Sequence, residues 1–275
     1  MTEHEVLDDG PVDLPPYRAV LVVDTKEFGG NDDPDQELLA RNIRDVLIRA
    51  FERAGLAEVW DEALFPQNTG DGYGIAFDTR HLPAVVSRFF DVLQEVLTER
   101  DARWRARGRQ LRMRMRASLN VGPVRDPHRE EGAVVVGKAV ITTHRLLDTE
   151  PVRDVLTRSD PDQTFLSVAL SQRVFDDVVA AGYATLSASR LVSRFVQVKE
   201  FSGKVYLYVP KPSGDLLEHG VAEATQDSTA QSNDLRAVQA TRRSAPGSST
   251  NMVRGGVHTG ATIQVGHLHG GFHNK

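Results

Sequence analysis

The sequence has 275 residues, of which 40% are hydrophobic and 26% are charged, and its formal net charge is −5. This composition is typical of a globular protein, and the absence of cysteine excludes disulfide scaffolds, thiolate metal sites and cysteine nucleophiles. No stretch approaches the ~20 apolar residues that span a bilayer, and the first residues are acidic, so we expect a cytoplasmic protein that binds neither membranes nor nucleic acid.

Hydrophobic periodicity is nearly continuous over residues 17–210, whereas residues 1–16 are acidic and proline-rich and predict a disordered leader. Tyr17–Asp24 is a short β-branched run, which predicts a buried strand. Asp33 followed by Pro34 predicts the start of a helix, with Asp33 as its N-cap. The apolar positions at helical spacing in this helix are Leu39, Ile43, Val46, Leu47, Ala50 and Phe51.

A hairpin, a second helix and a further strand follow. Val59–Phe65 and Tyr73–Phe77 predict two strands joined around the sequence Asn-Thr-Gly-Asp-Gly of residues 68–72. Leu111–Val121 alternates between apolar and polar residues, which predicts a strand. The apolar positions of the second helix are Val86, Phe89, Phe90, Leu93, Val96 and Leu97.

The remaining elements complete one domain. A helix is expected after Gly137, and Phe195–Val198 with Val205–Val209 predicts a hairpin across Ser202-Gly203. The order strand, helix, strand, strand, helix, strand predicts an α+β fold of the ferredoxin-like or palm type. We expect an antiparallel sheet with helices packed on it.

Eight arginines fall between Arg100 and Arg116, which is the most basic stretch of the chain. The first of them end a helix, where cations are favoured. Arg112, Arg114 and Arg116 alternate with apolar residues, which predicts the polar face of a strand. The alternative is that these side chains bind a triphosphate or RNA.

The composition changes after Pro210. Residues 211–250 are rich in Ser, Ala, Gln and Thr and predict a flexible linker. Residues 251–275 contain six glycines and four histidines, which is typical of neither a linker nor a folded domain.

Two acidic residues are placed where strands end. Asp24 ends the first strand and Asp71 lies at the turn of the first hairpin, and in a ferredoxin-like sheet the two carboxylates can converge. Carboxylates and a backbone carbonyl are the hard oxygen ligands that Mg²⁺ or Mn²⁺ prefers. The alternative is that Asp71-Gly72 only makes the turn and Asp24 only caps a loop.

The region from Tyr17 to Pro210 resembles the class III nucleotidyl cyclase domain in five motifs that occur in the family's order. Asp24–Gly29 is similar to the family's D-x-x-x-F-S/T segment, and Gly70–Gly72 is similar to its GD hairpin. Arg116–Val124 is similar to the R-x-G-x-x-x-G-x-V strand, and Gly137–Leu146 is similar to G-x-x-V-N-x-A-x-R-L. Val196–Lys199 and Val205–Tyr208 together fit the closing hairpin.

This resemblance implies a function for several residues. Asp24 and Asp71, assisted by the Thr25 carbonyl, would hold two Mn²⁺ or Mg²⁺ ions, and Phe28 would belong to the nucleotide-binding segment. Arg145 would take the role of the transition-state arginine, which braces the phosphate while the 3′-hydroxyl attacks. The resemblance also implies a head-to-tail homodimer with its sites at the interface.

Three positions depart from the purine-specific members of the family. Ile141 replaces the asparagine that precedes the arginine, Gln67 replaces a base-reading lysine, and Val134 occupies the other base-reading position. The pyrimidine cyclases of bacterial antiphage (Pycsar) systems are similar in lacking this pair and in carrying an aromatic residue at the position of Tyr17. This similarity assigns base recognition to Tyr17 and Gln67, while packing is the alternative for Tyr17.

The end of the chain resembles a second kind of motif. Ile263, Gln264, Val265 and Gly266 match the core of the RIP homotypic interaction motif, and the surrounding glycines match bacterial amyloid signalling sequences. Low charge, β-branched residues and a glutamine ladder favour cross-β stacking. The alternatives are a disordered tail and a metal chelator formed by His267 and His269.

Two functional hypotheses follow from these patterns. In the first, the protein is a metal-dependent cyclase that makes cyclic UMP or CMP as an antiphage signal. In the second, it is a cyclase fold without catalysis that acts as an adaptor. In both, the tail would recruit an effector protein that carries a similar motif.

Overall fold

The computed structural model describes residues 13–106, 111–125 and 137–221 of the chain. The strands are β1 (Tyr17–Thr25), β2 (Leu64–Asn68), β3 (Gly72–Asp78), β4 (Met115–Pro123), β5 (Leu166–Ser171), β6 (Leu191–Val198) and β7 (Phe201–Tyr208). The helices are α1 (Asp33–Arg53), α2 (Ala57–Asp61), α3 (Leu82–Ala84), α4 (Phe90–Arg105), α5 (Lys138–Leu147), α6 (Glu150–Arg158), α7 (Gln172–Val174) and α8 (Asp215–His219).

The seven strands form one sheet in the order β2-β3-β1-β4-β5-β7-β6. Its first four strands have the arrangement of a ferredoxin-like fold, so the predicted α+β class is confirmed. The sheet is mixed rather than wholly antiparallel, because β4 and β5 pair in parallel. The chain returns from β4 to the start of β5 through α5 and α6, and such a crossover makes the two strands parallel.

The central strand β1 is buried on both faces of the sheet. Ala19, Leu21 and Val23 face the main core, which includes the apolar faces of α1 and α4. Val20 and Val22 face a smaller core under α5. Burial on both faces explains why β1 reads as a continuous apolar run rather than an alternating one.

Helix α5 is attached to the sheet by side-chain hydrogen bonds as well as by apolar packing. The Ser118 hydroxyl of β4 donates to the Thr143 carbonyl at 2.8 Å, and the Asn120 amide donates to the Ala139 carbonyl at 3.0 Å. A Cβ atom at Gly122 would lie 2.9 Å from the Ala139 Cβ, so the helix lies directly on the strand. These contacts bring the end of α5 toward the carboxyl end of β1.

Three predicted boundaries differ from the structure. Helix α2 contains the first three residues of the strand predicted over Val59–Phe65, and the closing hairpin turns at Lys199 and Glu200 rather than at Ser202-Gly203. The N-cap of α1 is Asp32, whose carboxylate accepts from the Asp35 amide at 3.0 Å, rather than Asp33. Two successive aspartates before Pro34 both satisfy the capping pattern, and the backbone geometry selects the first.

The folded region continues beyond Pro210, where the linker was predicted to begin. Residues 215–219 form α8, and Leu216 is only 3% exposed because it packs with Val155 and Val209. The predicted leader up to residue 12, Val134 and the amyloid-type residues lie outside the described residues. Among the helices that are described, none is both long and apolar enough to cross a membrane.

Candidate active site

The site begins where β1 ends, at Asp24. In the antiparallel ladders, Asp24 lies opposite Gly72 of β3 on one side and opposite Arg116 of β4 on the other. Residues opposite one another in a ladder project from the same face of the sheet. The register therefore brings the β2–β3 turn and an arginine of β4 to the same strand end as the carboxylate.

The turn that carries Asp71 is fixed against β1. The Asp71 carbonyl accepts a hydrogen bond from the Thr25 amide at 2.8 Å. Gly70 has a φ of +90°, a conformation that glycine adopts without strain, and a Cβ at Gly72 would lie 2.3 Å from the Val23 carbonyl oxygen. Gly70 is therefore favoured by its backbone conformation and Gly72 by the close approach of the two backbones, and the Asp71 side chain between them is exposed.

Arg116 forms a two-point ion pair with Asp24. The Arg116 Nε donates to Asp24 Oδ1 at 2.7 Å, and Nη2 donates to Oδ2. Both side chains are largely buried, which strengthens a charge-assisted pair of this kind. The prediction that Arg112, Arg114 and Arg116 form the polar face of one strand is correct only in placing Arg116 on a strand, because β4 begins at Met115, and the Arg116 side chain is largely buried in its pair with Asp24.

Burial raises the pKa of Asp24 to about 6. The Arg116 guanidinium opposes this shift, while the carboxylates of Asp71 and Asp148 add to it. Asp148 follows the last turn of α5 and was not predicted from the sequence. Only the docking of α5 on β4 brings it near, and no local pattern around Asp148 signals this position.

The oxygen atoms at this strand end suit a divalent cation. Each Asp24 oxygen accepts one hydrogen bond from Arg116 and retains lone-pair capacity, and the neighbouring carboxylates repel one another in a way that a cation would relieve. Asp24 and Asp71 are thus residues that could hold Mn²⁺ or Mg²⁺. Among the described residues, the only group whose three metal-type ligand atoms lie within 4.8 Å of one another is formed by Glu58, Glu62 and His81. The carboxylates of Asp24, Asp71 and Asp148 are therefore not clustered that tightly.

The group formed by Glu58, Glu62 and His81 was not predicted from the sequence, and its two carboxylates already pair with an arginine side chain. Arg80 Nη2 lies 2.9 Å from Glu58 and 3.0 Å from Glu62, and Arg80 Nε donates to His81. All four residues lie on the outside of the domain. We assign no function to this group.

Arg145 lies on α5 and forms no ion pair with Asp24 or Asp71 within the described residues. Its Nη2 is 3.9 Å from Glu200, and its buried Nε has no hydrogen-bond partner among the described residues. Ile141, one turn earlier on the helix, is 47% exposed. Arg145 is therefore a half-buried cation whose Nε is an unused donor, on the same helix as an exposed apolar residue.

The other predicted binding residues are spread over the domain. Tyr17 is seven residues from Asp24 along β1, a separation of roughly 23 Å in an extended strand, and the Arg173 guanidinium lies 4.9 Å from its ring centroid. Gln67 is exposed on β2, close to the Asp71 turn. Phe28 packs against the main core, and the Thr25 amide serves the Asp71 turn. One chain brings Asp24, Thr25 and Asp71 together, and it leaves Tyr17 apart from them.

No family model and no curated protein matches the chain. Among solved structures, the chain is similar to the guanylyl cyclase Cya2, with 17% identity, a TM-score of 0.44, and coverage of 73% of this chain and 93% of that one. It is also similar to the adenylyl cyclase CyaB from P. aeruginosa, with 14% identity, a TM-score of 0.46, and coverage of 70% and 92%. A third is an adenylate/guanylate cyclase/hydrolase from Silicibacter pomeroyi, with 19% identity, a TM-score of 0.45, and coverage of 71% and 97%.

Proposed function

We propose that this protein is a metal-dependent nucleotidyl cyclase of the class III type. It would convert a nucleoside triphosphate to a 3′,5′-cyclic nucleotide and diphosphate. The observation that carries this proposal is the junction of β1 with the β2–β3 turn, where the Asp24 carboxylate and the Asp71 turn are held side by side by the Thr25 amide. Paired strand-end carboxylates of this kind supply hard oxygen ligands at a rigid position.

The chain's own residues have distinct tasks in this reaction. Asp24 and Asp71 would hold Mn²⁺ or Mg²⁺, which when bound neutralises triphosphate charge and acidifies the attacking hydroxyl. The ribose 3′-oxygen forms a bond to the α-phosphorus, and the bond from that phosphorus to the diphosphate breaks. Arg145 would stabilise the negative charge that develops on the transferring phosphate.

A second copy of the chain would complete this site. Arg145 forms no ion pair with Asp24 or Asp71 within the described part of one chain, and Ile141 on the same helix is exposed. Phe195, on strand β6, is 72% exposed. A head-to-tail homodimer would cover these apolar groups and bring the Arg145 of one copy to the carboxylates of the other.

The base would be a pyrimidine, uracil or cytosine. Gln67 is an exposed residue on β2 near the Asp71 turn, and an amide can both donate to and accept from a pyrimidine edge. Tyr17 offers an aromatic ring at the opposite end of β1. The resulting cyclic UMP or CMP would serve as an antiphage signal in the cytoplasm.

The decisive experiment incubates the purified full-length protein with each of the four nucleoside triphosphates and Mn²⁺, and identifies cyclic product by mass. We expect cyclic UMP or CMP from the wild type and none from Asp71→Ala. The matched control is Asp61→Ala, which removes an exposed aspartate outside the site and should retain full activity. Product from Asp71→Ala at the wild-type rate would refute the metal site, and no product from any triphosphate would refute the enzyme.

The exposure of Ile141 favours a second candidate function. An isoleucine at this position cannot donate a hydrogen bond to a ribose or phosphate, so a cyclase fold without catalysis could serve as an adaptor. In either function, we propose that residues 251–275 recruit an effector with a similar motif by templated cross-β stacking.

The tail is tested separately from the chemistry. A peptide of residues 251–275 should form thioflavin-positive fibrils with a strand spacing near ~4.7 Å. Gln264→Asp combined with Val265→Pro should prevent fibrils, because it adds repulsion and removes a ladder donor. The same change in the full chain should leave nucleotide chemistry unaltered. A wild-type peptide that stays monomeric in the presence of preformed seeds would refute the amyloid proposal.

A further inference from the structure

A cavity of about 360 Å³ lies at the start of β1, at the opposite end of that strand from Asp24. Two aromatic residues, Tyr17 and Tyr183, are part of its lining. The apolar wall between them includes Leu82, Pro83, Val121 and Val178. The volume lies at the lower end of the range of small-molecule sites, and the predominantly apolar lining is typical of such sites.

Both tyrosines present their rings from a fixed backbone. Tyr183 is 72% exposed and Tyr17 is 38% exposed, although a large aromatic side chain gains free energy when it is removed from water. The Tyr183 amide donates to the Val178 carbonyl at 2.9 Å, and the Thr185 amide donates to the Ser87 hydroxyl at 2.9 Å. The loop that carries Tyr183 is therefore held on both sides, so a ligand would meet a ring that is already in position.

Two π-helical turns border the cavity, and they are the only two among the described residues. Phe175–Ala180 contains Val178 of the apolar wall, and Val85–Phe89 begins two residues after Pro83. The Ser87 hydroxyl that accepts from Thr185 belongs to the second of these turns. Turns of this kind are rare and occur frequently at functional sites, so their presence on two sides of one cavity favours a binding site here.

The charged residues of the cavity already have partners of opposite charge. The Arg173 Nε lies 3.3 Å from Asp177 Oδ2, and the Arg173 guanidinium lies 4.9 Å from the centroid of the Tyr17 ring. Arg80, which also lines the cavity, pairs with two glutamates. An anionic ligand would have to compete with these carboxylates, so the lining favours an uncharged molecule.

We propose that this cavity binds an uncharged small molecule through a planar aromatic ring, which would pack against Tyr17 and Tyr183. Aromatic pairs stabilise a complex beyond the area that they bury, and the apolar wall would remove the rest of the molecule from water. The proposal goes beyond cyclisation and does not depend on it, because the cavity is at the other end of β1 from the candidate metal ligands.

Fluorescence titration of the full-length protein with N-phenylnaphthylamine tests the proposal, since this uncharged aromatic probe becomes more fluorescent in apolar surroundings. The wild type should bind it saturably, and Tyr183→Ala should weaken binding by about 3-fold to 10-fold. Tyr183→Phe keeps the ring and should bind like the wild type. Phe195→Ala is the matched control, because Phe195 is also 72% exposed but does not line the cavity, and it should leave binding unchanged.

Tyr17→Ala provides a second variant and should weaken binding to a similar extent. The urea midpoint of each variant shows whether it is folded, and the exposed Tyr183 is the safer position. Naphthol should displace the probe at a lower concentration than decahydronaphthol, because only naphthol has a planar aromatic ring. No saturable binding by the wild type, an equal loss in Tyr183→Ala and Phe195→Ala, or equal displacement by the two alcohols would overturn the proposal.

Competition with a nucleotide separates this cavity from the proposed nucleotide site. UTP with Mn²⁺ should leave the probe bound, and Asp71→Ala should bind the probe like the wild type whether or not the chain is a cyclase. Displacement of the probe by UTP would overturn the proposal, because the tyrosine rings would then belong to base recognition.

Discussion

At the scale of single residues, the candidate site depends on the charge balance around Asp24. One guanidinium, from Arg116, faces a carboxylate that is also repelled by Asp71 and Asp148. Burial is the largest effect and raises the pKa of Asp24; repulsion from Asp71 and Asp148 adds to it, and together they exceed the attraction of Arg116. A divalent cation beside Asp24 would favour the ionised carboxylate and so oppose this shift.

The raised pKa predicts a pH dependence of stability. The carboxyl of Asp24 has a usual value of 3.8 and a value of about 6 in the folded chain, so the folded state binds the proton more tightly than the unfolded state. Protonated Asp24 therefore stabilises the folded state by roughly 3 kcal/mol. This contribution is fully present below pH ~4 and is lost as the pH rises through ~6. Urea unfolding of the wild type and Asp24→Asn between pH 4 and 7 should show this difference. A constant difference across that range would contradict the raised pKa.

The close backbone contact at Gly72 predicts that one added methyl group lowers the stability of the fold by a large amount. Gly72→Ala would place a Cβ 2.3 Å from the Val23 carbonyl, so β1 and the Asp71 turn would have to separate. We expect a loss of about 2–3 kcal/mol in the free energy of unfolding, measured with urea. Gly29→Ala is the control, because nothing lies within 4 Å of a Cβ at Gly29. Equal stabilities of the two variants would contradict the close approach of the backbones.

At the scale of elements, helix α1 connects the candidate site to the core. Its first residue follows the loop that leaves Asp24, and its apolar face packs under β1 and β3. All six apolar positions predicted for this helix are buried. The position of the loop that follows Asp24 is therefore determined partly by where the helix starts.

The start of α1 gives a prediction that separates two adjacent aspartates. Asp32→Ala should lower stability by about 1 kcal/mol, because the Asp32 carboxylate caps the Asp35 amide. Asp33→Ala should cost only about 0.3–0.5 kcal/mol, because Asp33 interacts only with the helix dipole. Thermal and urea unfolding of both variants measure the difference. A larger loss for Asp33→Ala would show that the cap is one residue later.

At the scale of the whole molecule, the proposed homodimer predicts complementation between inactive variants. Asp71→Ala and Arg145→Ala should each abolish cyclisation. In an equal mixture, half of the dimers contain both variants and each of these has one intact site out of two, so about one quarter of wild-type activity should return. Cyclic product in the mixture and in each variant alone gives the measurement. A mixture no more active than the separate variants would place Arg145 and Asp71 in the same chain's site.

Much of the fold could be predicted because it depends on local patterns. Helical spacing located the buried faces of α1 and α4, a continuous apolar run located β1, and further short apolar runs located β3 and β4. Residues 59–61 were misassigned because a short apolar segment fits a strand and a helix equally well, and its packing in the tertiary structure decides between them. The metal-type pair Asp24 and Asp71 was predictable because both lie where strands end.

The sequence by itself determined the first strand, helix and hairpin, the helix and strand that follow, the α+β class and the placement of two carboxylates at strand ends, since each of these depends on residues close together in the chain. It predicted neither α6 nor the strand β5 that pairs in parallel with β4. Only the tertiary structure decided what surrounds the two carboxylates. Arg116 is 92 residues from Asp24, and Arg114 is 50 residues from the carbonyl that accepts its hydrogen bond. Arg116 belongs to β4 and Arg114 precedes it, and the sequence pattern does not show that either side chain is covered. Burial is a property of the packed chain, and burial raises the pKa of Asp24 and lowers the pKa of Arg114.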